Sequence, residues 1–112
     1  MSNKTPTYSL EEICKAAKMG NIAYQGKNER PQIDAINLGY SFDEIVECLC
    51  SLKSSQFIES KKYTMPQENK TVTYDIYIAT CTNSSQEYQD TLYIKLRLSS
   101  SWLIIGSFHL PK

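Results

Sequence analysis

The sequence predicts an α+β fold in which N-terminal helices pack on one face of a C-terminal antiparallel sheet. Between residues 10 and 49 the apolar side chains recur every three or four positions, the period of a helix with one buried face. From Ser51 onward, β-branched and aromatic residues alternate with polar ones, as in strands with one buried face. Because the helices precede the strands, they should cover one sheet face and leave the other open.

Two helix starts have the same capping signature. Ser9 and Ser41 can each accept a hydrogen bond from the first turn, and Glu12 and Glu44, three residues later, can reach back to the capping backbone. Helices are therefore expected over residues 10–19 and from residue 42 onward. Between them, a shorter helix should begin at Pro31.

The apolar side chains of these helices define the expected core face. Gly20 and Gly39 are the expected helix ends, since glycine accepts the left-handed backbone that often follows a helix. The residues expected to point inward are Leu10, Ile13, Cys14 and Ala17, then Ile33, Ile36 and Leu38, and finally Phe42, Ile45, Val46 and Leu49.

Three or four antiparallel strands are expected in the second half. The predicted segments are residues 56–63, 71–78, 91–98 and 102–109, with loops at 65–70 and 83–86. Residues 21–25 suit a short strand at an edge, and a polar loop is expected at residues 27–30.

The last two predicted strands form a hairpin, and its register decides on which face of the sheet His109 lies. If residues 99–101 form a three-residue loop, Leu98 pairs with Trp102 and Tyr93 lies opposite Ser107. His109 then shares the face of Tyr93. A slip of one residue would move His109 to the other face.

Composition indicates one domain over residues 1–112. No apolar run is long enough to span a membrane, and the N-terminus lacks a secretory signal, so a cytoplasmic protein is expected. Twelve basic and twelve acidic residues give a formal net charge of zero, which neither requires nor excludes a nucleic-acid partner.

Cysteine usage does not point to a metal site. Cys48 and Cys50 lie on a predicted helix, where one intervening residue turns the two side chains about 200° apart. With no CxxC pair and a single histidine, neither a zinc site nor a cofactor is expected. In a reducing cytoplasm the four cysteines should remain thiols.

The polar side chains of the predicted sheet are rich in hydrogen-bond donors and suit a phosphate. Lysine and arginine can stabilise the negative charge of a pentavalent phosphorane, and histidine can transfer a proton near neutral pH. RNA carries its own nucleophile, the 2′-hydroxyl. The competing interpretation is an ordinary solvated sheet surface. The set comprises Glu59, Lys61, Lys62, Tyr63, Tyr74, Tyr77, Tyr93, Lys95, Arg97 and His109.

Six short patterns, in one order along almost the whole chain, resemble the MqsR family of toxins. They are Lys4-Thr5-Pro6-x-Tyr8-x-Leu10, Leu38-Gly39-x-Ser41-Phe42-Asp43, Leu52-x-x-Ser55-x-Phe57-x-x-Ser60, Asp75-x-Tyr77, residues 92–96 (LYIKL) and Ser107-Phe108. The resemblance implies a RelE-like fold and a metal-independent ribonuclease that cleaves mRNA. It also implies a small cognate antitoxin protein as partner.

Carried over by position, the family's Tyr-x-Lys strand falls on Tyr93 and Lys95. Glu59 and His109 stand where the family has lysines, and Tyr74 replaces a glutamine. We expect His109 to protonate the leaving 5′-oxygen, since histidine ordinarily has a pKa of about 6.5.

The remaining candidate roles follow from the same comparison. Glu59 would be the general base on the 2′-hydroxyl, while Tyr74 and Tyr93 would hold the phosphate and stack on a base. The expected RNA-binding cations are Lys61, Lys62, Lys95 and Arg97. Two alternatives stay open: an inactive relative that only binds a protein or RNA, and a domain with an unrelated small-molecule role.

Overall fold

The computed structural model describes residues 5–25, 30–65, 69–81 and 90–111. In these ranges the chain forms helices α1 (Leu10–Lys18), α2 (Arg30–Asn37) and α3 (Phe42–Cys50), followed by a short 3-10 turn (Ser54–Gln56). The strands are β1 (Ile22–Tyr24), β2 (Phe57–Met65), β3 (Lys70–Cys81), β4 (Asp90–Ser99) and β5 (Trp102–His109). The predicted α+β class is confirmed.

The strands form one mixed sheet in the order β1-β5-β4-β3-β2. Consecutive strands from β2 to β5 are antiparallel, as predicted. The short strand β1 is an edge strand, but it lies parallel to β5 and pairs with only three residues of it. The predicted loops at residues 27–30, 65–70 and 83–86 fall wholly or partly outside the described residues.

All three helices contribute to a core on one face of the sheet. The buried sheet residues of this core are Tyr77, Ala79, Cys81, Leu92, Ile94, Leu96, Leu103, Ile105 and Phe108. Side chains in the alternate positions point to the opposite side, which we call the open face. No described helix is long and apolar enough to cross a membrane.

The structure agrees more closely with the predicted helix caps than with the predicted buried faces of the helices. Ser41 and Glu44 form a complete capping box, and Ser9 accepts a hydrogen bond from the Glu12 backbone N–H. Helix α2, however, buries Pro31 and Ala35. The inward positions predicted for three large apolar residues are wrong: Ile33, Ile36 and Phe42 have 41%, 60% and 49% of their surface exposed.

A buried carboxylate fastens the chain before α1 to the sheet. Asp75 is completely buried and accepts hydrogen bonds from the backbone N–H groups of Thr7 and Tyr8 at 2.9–3.0 Å. The Ser60 hydroxyl donates a further hydrogen bond to the same carboxylate. The Tyr8 hydroxyl donates to the Thr73 carbonyl at 2.7 Å. Tyr8, Ser60 and Asp75 belong to three of the six patterns that resemble the MqsR family, and here they stabilise the fold.

The expectation of free thiols is wrong for this structure. Cys14 of α1 is bonded to Cys50 of α3, and Cys48 of α3 is bonded to Cys81 of β3. The opposite directions of the two α3 cysteines allow each to meet a different neighbour. Each bond depends on how α1 and β3 pack against α3, which neither the cysteine spacing nor the redox compartment predicts.

Candidate active site

The last hairpin brings His109 against Tyr93 through two irregularities. Ser99 pairs with Trp102 across a two-residue turn, so the predicted three-residue loop is wrong and the register slips by one. That slip alone would send His109 to the core side. A bulge in β5 then restores the face, because Leu96 pairs with Ile105 while Lys95 pairs with Ser107.

As a result, His109 pairs directly with Tyr93, where the sequence had predicted Ser107. The two rings stack with centroids 5.3 Å apart and planes 13° from parallel.

Gly106 is the extra residue of this bulge, and its lack of a side chain makes room for the site. A Cβ atom placed there would lie 2.9 Å from both Lys95 Cε and Tyr74 Cε1. The lysine stem and the tyrosine ring therefore pack directly over the Gly106 backbone. Glycine inside a strand commonly marks a bulge or a close approach.

Lys95 is held between two tyrosine rings. Its Nζ lies 4.4 Å from the ring centroid of Tyr63 and 5.3 Å from that of Tyr74. The two rings contact each other edge to face at 5.5 Å. Cation–π attraction of this kind orients an ammonium group, so Lys95 has a defined position on the open face.

Burial and like charge act on the ionisable groups of this cluster. Burial, and then the neighbouring Lys61 ammonium, lower the pKa of Lys95. Burial is also the main cause that raises the pKa of Tyr93 and of Tyr63, and the Glu59 carboxylate adds to both shifts. Both phenols therefore stay protonated at neutral pH and act as hydrogen-bond donors.

Two buried donors on the open face have no protein partner within the described ranges. They are the hydroxyl of Tyr74, a residue 3% exposed, and Nε of Arg97, a residue 9% exposed. The Arg97 guanidinium lies 5.7 Å from the Tyr74 ring centroid. Buried polar groups are normally paired, so both donors are exceptions, and because these atoms have almost no accessible surface, a ligand on the open face could bond them only after Tyr74 or Arg97 moves.

Strand β2 contributes Glu59 and Lys61 to the open face, also through a bulge. Phe57 pairs with Tyr77 and Glu59 with Ile76, so Ile58 is the extra residue. Phe57 therefore packs against the core, whereas Glu59 and Lys61 point to the open face. Lys62 has the opposite orientation and pairs with Thr73, so the structure does not bring this predicted RNA-binding residue to the cluster.

The hydrogen bond of His109 fixes which ring nitrogen is free. Nδ1 lies 2.7 Å from the carbonyl oxygen of Leu110. Because a carbonyl only accepts, Nδ1 must carry the hydrogen, and Nε2 is the nitrogen left to exchange a proton. The stacked ring of Tyr93 holds the imidazole in this orientation.

Seven of the eight candidate residues predicted from the sequence therefore lie on one face: Glu59, Lys61, Tyr74, Tyr93, Lys95, Arg97 and His109. Tyr63 was counted among the polar residues of the sheet but given no role, and Gly106 was not considered, although both contact Lys95. Alternation with Lys61 could have identified Tyr63, and an isolated glycine within a strand could have identified Gly106.

A family model described as "Motility quorum-sensing regulator, toxin of MqsA" matches residues 5–110. The chain belongs to this family. MqsR-family membership makes the protein a toxin of a toxin–antitoxin system and implies an antitoxin partner. A comparison with curated proteins gave no match.

Proposed function

We propose that this MqsR-family chain is a metal-independent endoribonuclease that cleaves mRNA and is neutralised by its cognate antitoxin. The observation that carries the proposal is the position of His109. A short turn and a bulge together place its imidazole against Tyr93, on the face that also presents Lys95. A proton-transfer group, a phenol donor and an oriented cation are groups that can promote phosphodiester cleavage by an internal nucleophile.

In the proposed reaction the substrate supplies the nucleophile. Glu59 removes the proton from a ribose 2′-hydroxyl, and the 2′-oxygen attacks the adjacent phosphorus. The bond from phosphorus to the 5′-oxygen breaks while Nε2–H of the His109 imidazolium protonates that oxygen. The products are a 2′,3′-cyclic phosphate and a 5′-hydroxyl. Lys95, Arg97 and Lys61 stabilise the phosphorane, and Tyr93 donates a hydrogen bond to it.

The spacing of the strands is compatible with this division of roles. Glu59 lies on β2 and His109 on β5, three strand intervals apart, which corresponds to about 14 Å between backbones. A phosphate bound over β3 and β4 would lie between the base on β2 and the acid on β5. The intervening strands carry Tyr74, Tyr93 and Lys95.

The direct test is RNA cleavage by the purified protein in the presence of EDTA, with identification of the product ends. His109→Ala should lower the rate by about 10²–10⁴-fold, and Lys95→Met by about 10²–10³-fold. Lys62→Gln, on the other face, is the matched control and should retain the rate. An RNA with 2′-deoxyribose at the cleavage position should not be cut. Folded His109→Ala protein with the unmutated rate would refute the assignment.

One observation favours an inactive relative that only binds a partner. The three departures from the family pattern, Glu59, Tyr74 and His109, all fall on the proposed site, and the Tyr74 hydroxyl is buried. If the unmutated protein binds RNA or its antitoxin but leaves mRNA intact and growth unimpaired on induced expression, this second function replaces the first.

The proposed substrate places the protein in the cytoplasm, where both disulfides would be subject to reduction. The site should tolerate that change, because the four cysteines lie in helices or on the core face of β3. Cleavage should therefore proceed equally in reducing buffer.

A further inference from the structure

A cleft opens beside His109 at the edge of the sheet. Strand β1 pairs only with residues 103–105 of β5, so from Gly106 onward the outer side of β5 faces helix α2. The space between them measures about 550 Å³. This volume falls within the range of pockets that hold small organic ligands.

The lining of the cleft combines apolar walls with a few polar groups. Pro31, Leu38 and Leu110 provide apolar surface, and Asp34 and Asn37 provide hydrogen-bonding groups. The Asp34 side chain is 19% exposed, and its Oδ1 accepts a hydrogen bond from Nε of Arg30 at 2.9 Å. Among the described residues no bond to its Oδ2 is seen, so this oxygen can accept from a ligand. Apolar walls with a carboxylate and an amide suit a flat heteroaromatic ring that bears N–H donors.

The cleft and the candidate active site share part of strand β5. Gly106, Ser107 and His109 line the cleft, while Gly106 also supports Lys95 and Tyr74 on the open face. A ligand that spans both would place a phosphate at the cations and an attached ring between α2 and β5. Single-stranded RNA has this form, since its unstacked bases can be splayed away from the backbone.

We propose that the cleft binds the nucleoside on the 3′ side of the scissile phosphate, with its base read by Asp34 and Asn37. This inference rests on the proposed function. The direction follows from the chemistry, because His109 protonates the 5′-oxygen, which belongs to the nucleoside downstream of the broken bond. The residue that releases the leaving group thus also lines the space where that group's base would lie.

The experiment measures binding of short RNAs that cannot be cleaved. Each carries 2′-deoxyribose at the scissile position and differs only at the downstream nucleotide, which has one of the four bases or none. We expect the abasic RNA to bind about tenfold more weakly than the RNA with the best base, because it lacks the ring that would bury apolar surface against Pro31, Leu38 and Leu110. Asp34→Asn should reduce the preference among the four bases.

Asp43→Asn is the matched control, since this exposed aspartate of α3 lies outside the cleft. If Asp34→Asn does not fold, Asn37→Ala replaces it. Equal binding of the abasic RNA, or an unchanged base preference in the folded Asp34→Asn protein, would overturn the proposal.

Cleavage of the matching all-ribose RNAs by the unmutated protein is measured in parallel. Cleavage that does not depend on the downstream base refutes the cleft assignment and leaves the nuclease intact. Base-dependent binding without cleavage refutes the nuclease and supports the cleft as a base-binding site.

Discussion

Tyr77 carries a buried hydroxyl whose cost can be measured. The residue is completely buried, and its hydroxyl has no hydrogen-bond partner in the described part of the chain. Its ring packs edge to face against Phe57 at 5.5 Å, a contact that phenylalanine would keep. We therefore expect Tyr77→Phe to leave the free energy of unfolding unchanged or to raise it by about 1 kcal/mol, since an unsatisfied polar group is removed.

The same residue predicts a pH dependence. Burial, and then the Asp75 carboxylate, raise the pKa of Tyr77 from 10.0 to about 12. Between these values the unfolded chain has lost the proton and the folded chain has kept it, so stability falls as pH rises. At about 1.4 kcal/mol per pKa unit, this amounts to roughly 2–3 kcal/mol by pH 12. Urea unfolding at pH 8 and pH 11 should show that the free energy of unfolding falls less for Tyr77→Phe than for the unmutated protein. An equal fall in both proteins would contradict this explanation.

Lys61 and Lys62 are consecutive, yet they should have different effects on the pKa of Lys95. Lys61 lies on the open face and lowers the pKa of Lys95, whereas Lys62 points to the other side. Lys61→Gln removes a like charge, so the pKa of Lys95 should rise, though burial keeps it below 10.5. NMR titration of the Lys95 Cε resonance measures this directly. Lys62→Gln should leave the titration unchanged, and equal effects of both substitutions would show that Lys61 is not specifically coupled.

At the scale of elements, two bulges determine the open face. The extra residue in β2 directs Phe57 to the core and Glu59 outward, and the one in β5 lets Ile105 and Phe108, three positions apart, both face the core. His109, next to Phe108, then lies on the open face. A strict period of two would keep Phe57 and Glu59 on one face and separate Ile105 from Phe108, so sequence alternation alone could not locate these side chains.

The bulge at Gly106 can be tested by one substitution. Gly106→Ala would put a methyl group 2.9 Å from Lys95 Cε and Tyr74 Cε1. The end of the Lys95 side chain can move away from the methyl group, but the packed Tyr74 ring cannot move as easily. We therefore expect a loss of stability of about 1–3 kcal/mol. Cleavage should fall at least tenfold because Lys95 leaves its position between the tyrosines.

Rates and melting temperatures of the Gly106 variants separate these effects. Gly106→Ser should reduce cleavage further, because it adds bulk at the same point. A folded Gly106→Ala protein with the unmutated rate would show that the position of Lys95 is not required.

The sequence predicted much of the architecture, and its failures have physical causes. Serine caps and apolar periods are local, so they located α1 and α3 well. The parallel pairing of β1 with β5 joins residues about eighty positions apart, and no local pattern reports it. The inward face of α2 was wrong because the two isoleucines suggested burial, whereas helix packing selected Pro31 and Ala35.

For the whole molecule, the two disulfides link three elements on the core side of the sheet. Cys14–Cys50 joins α1 to α3, and Cys48–Cys81 joins α3 to β3. The cross-linked residues are 36 and 33 positions apart, and closing loops of this length in the unfolded chain gives about 2–4 kcal/mol for each bond. The loops share residues 48–50, so the combined stabilisation should be less than the sum.

Reduction should therefore lower the melting temperature while leaving the open face intact. Thermal unfolding with and without dithiothreitol measures the first effect, and cleavage well below the lower melting temperature measures the second. The double variants Cys14→Ser/Cys50→Ser and Cys48→Ser/Cys81→Ser separate the two bonds. Identical melting curves, together with four titratable thiols in protein purified without reductant, would show that the bonds do not form. A loss of cleavage at temperatures where the reduced protein is folded would show that the helices and the open face are coupled.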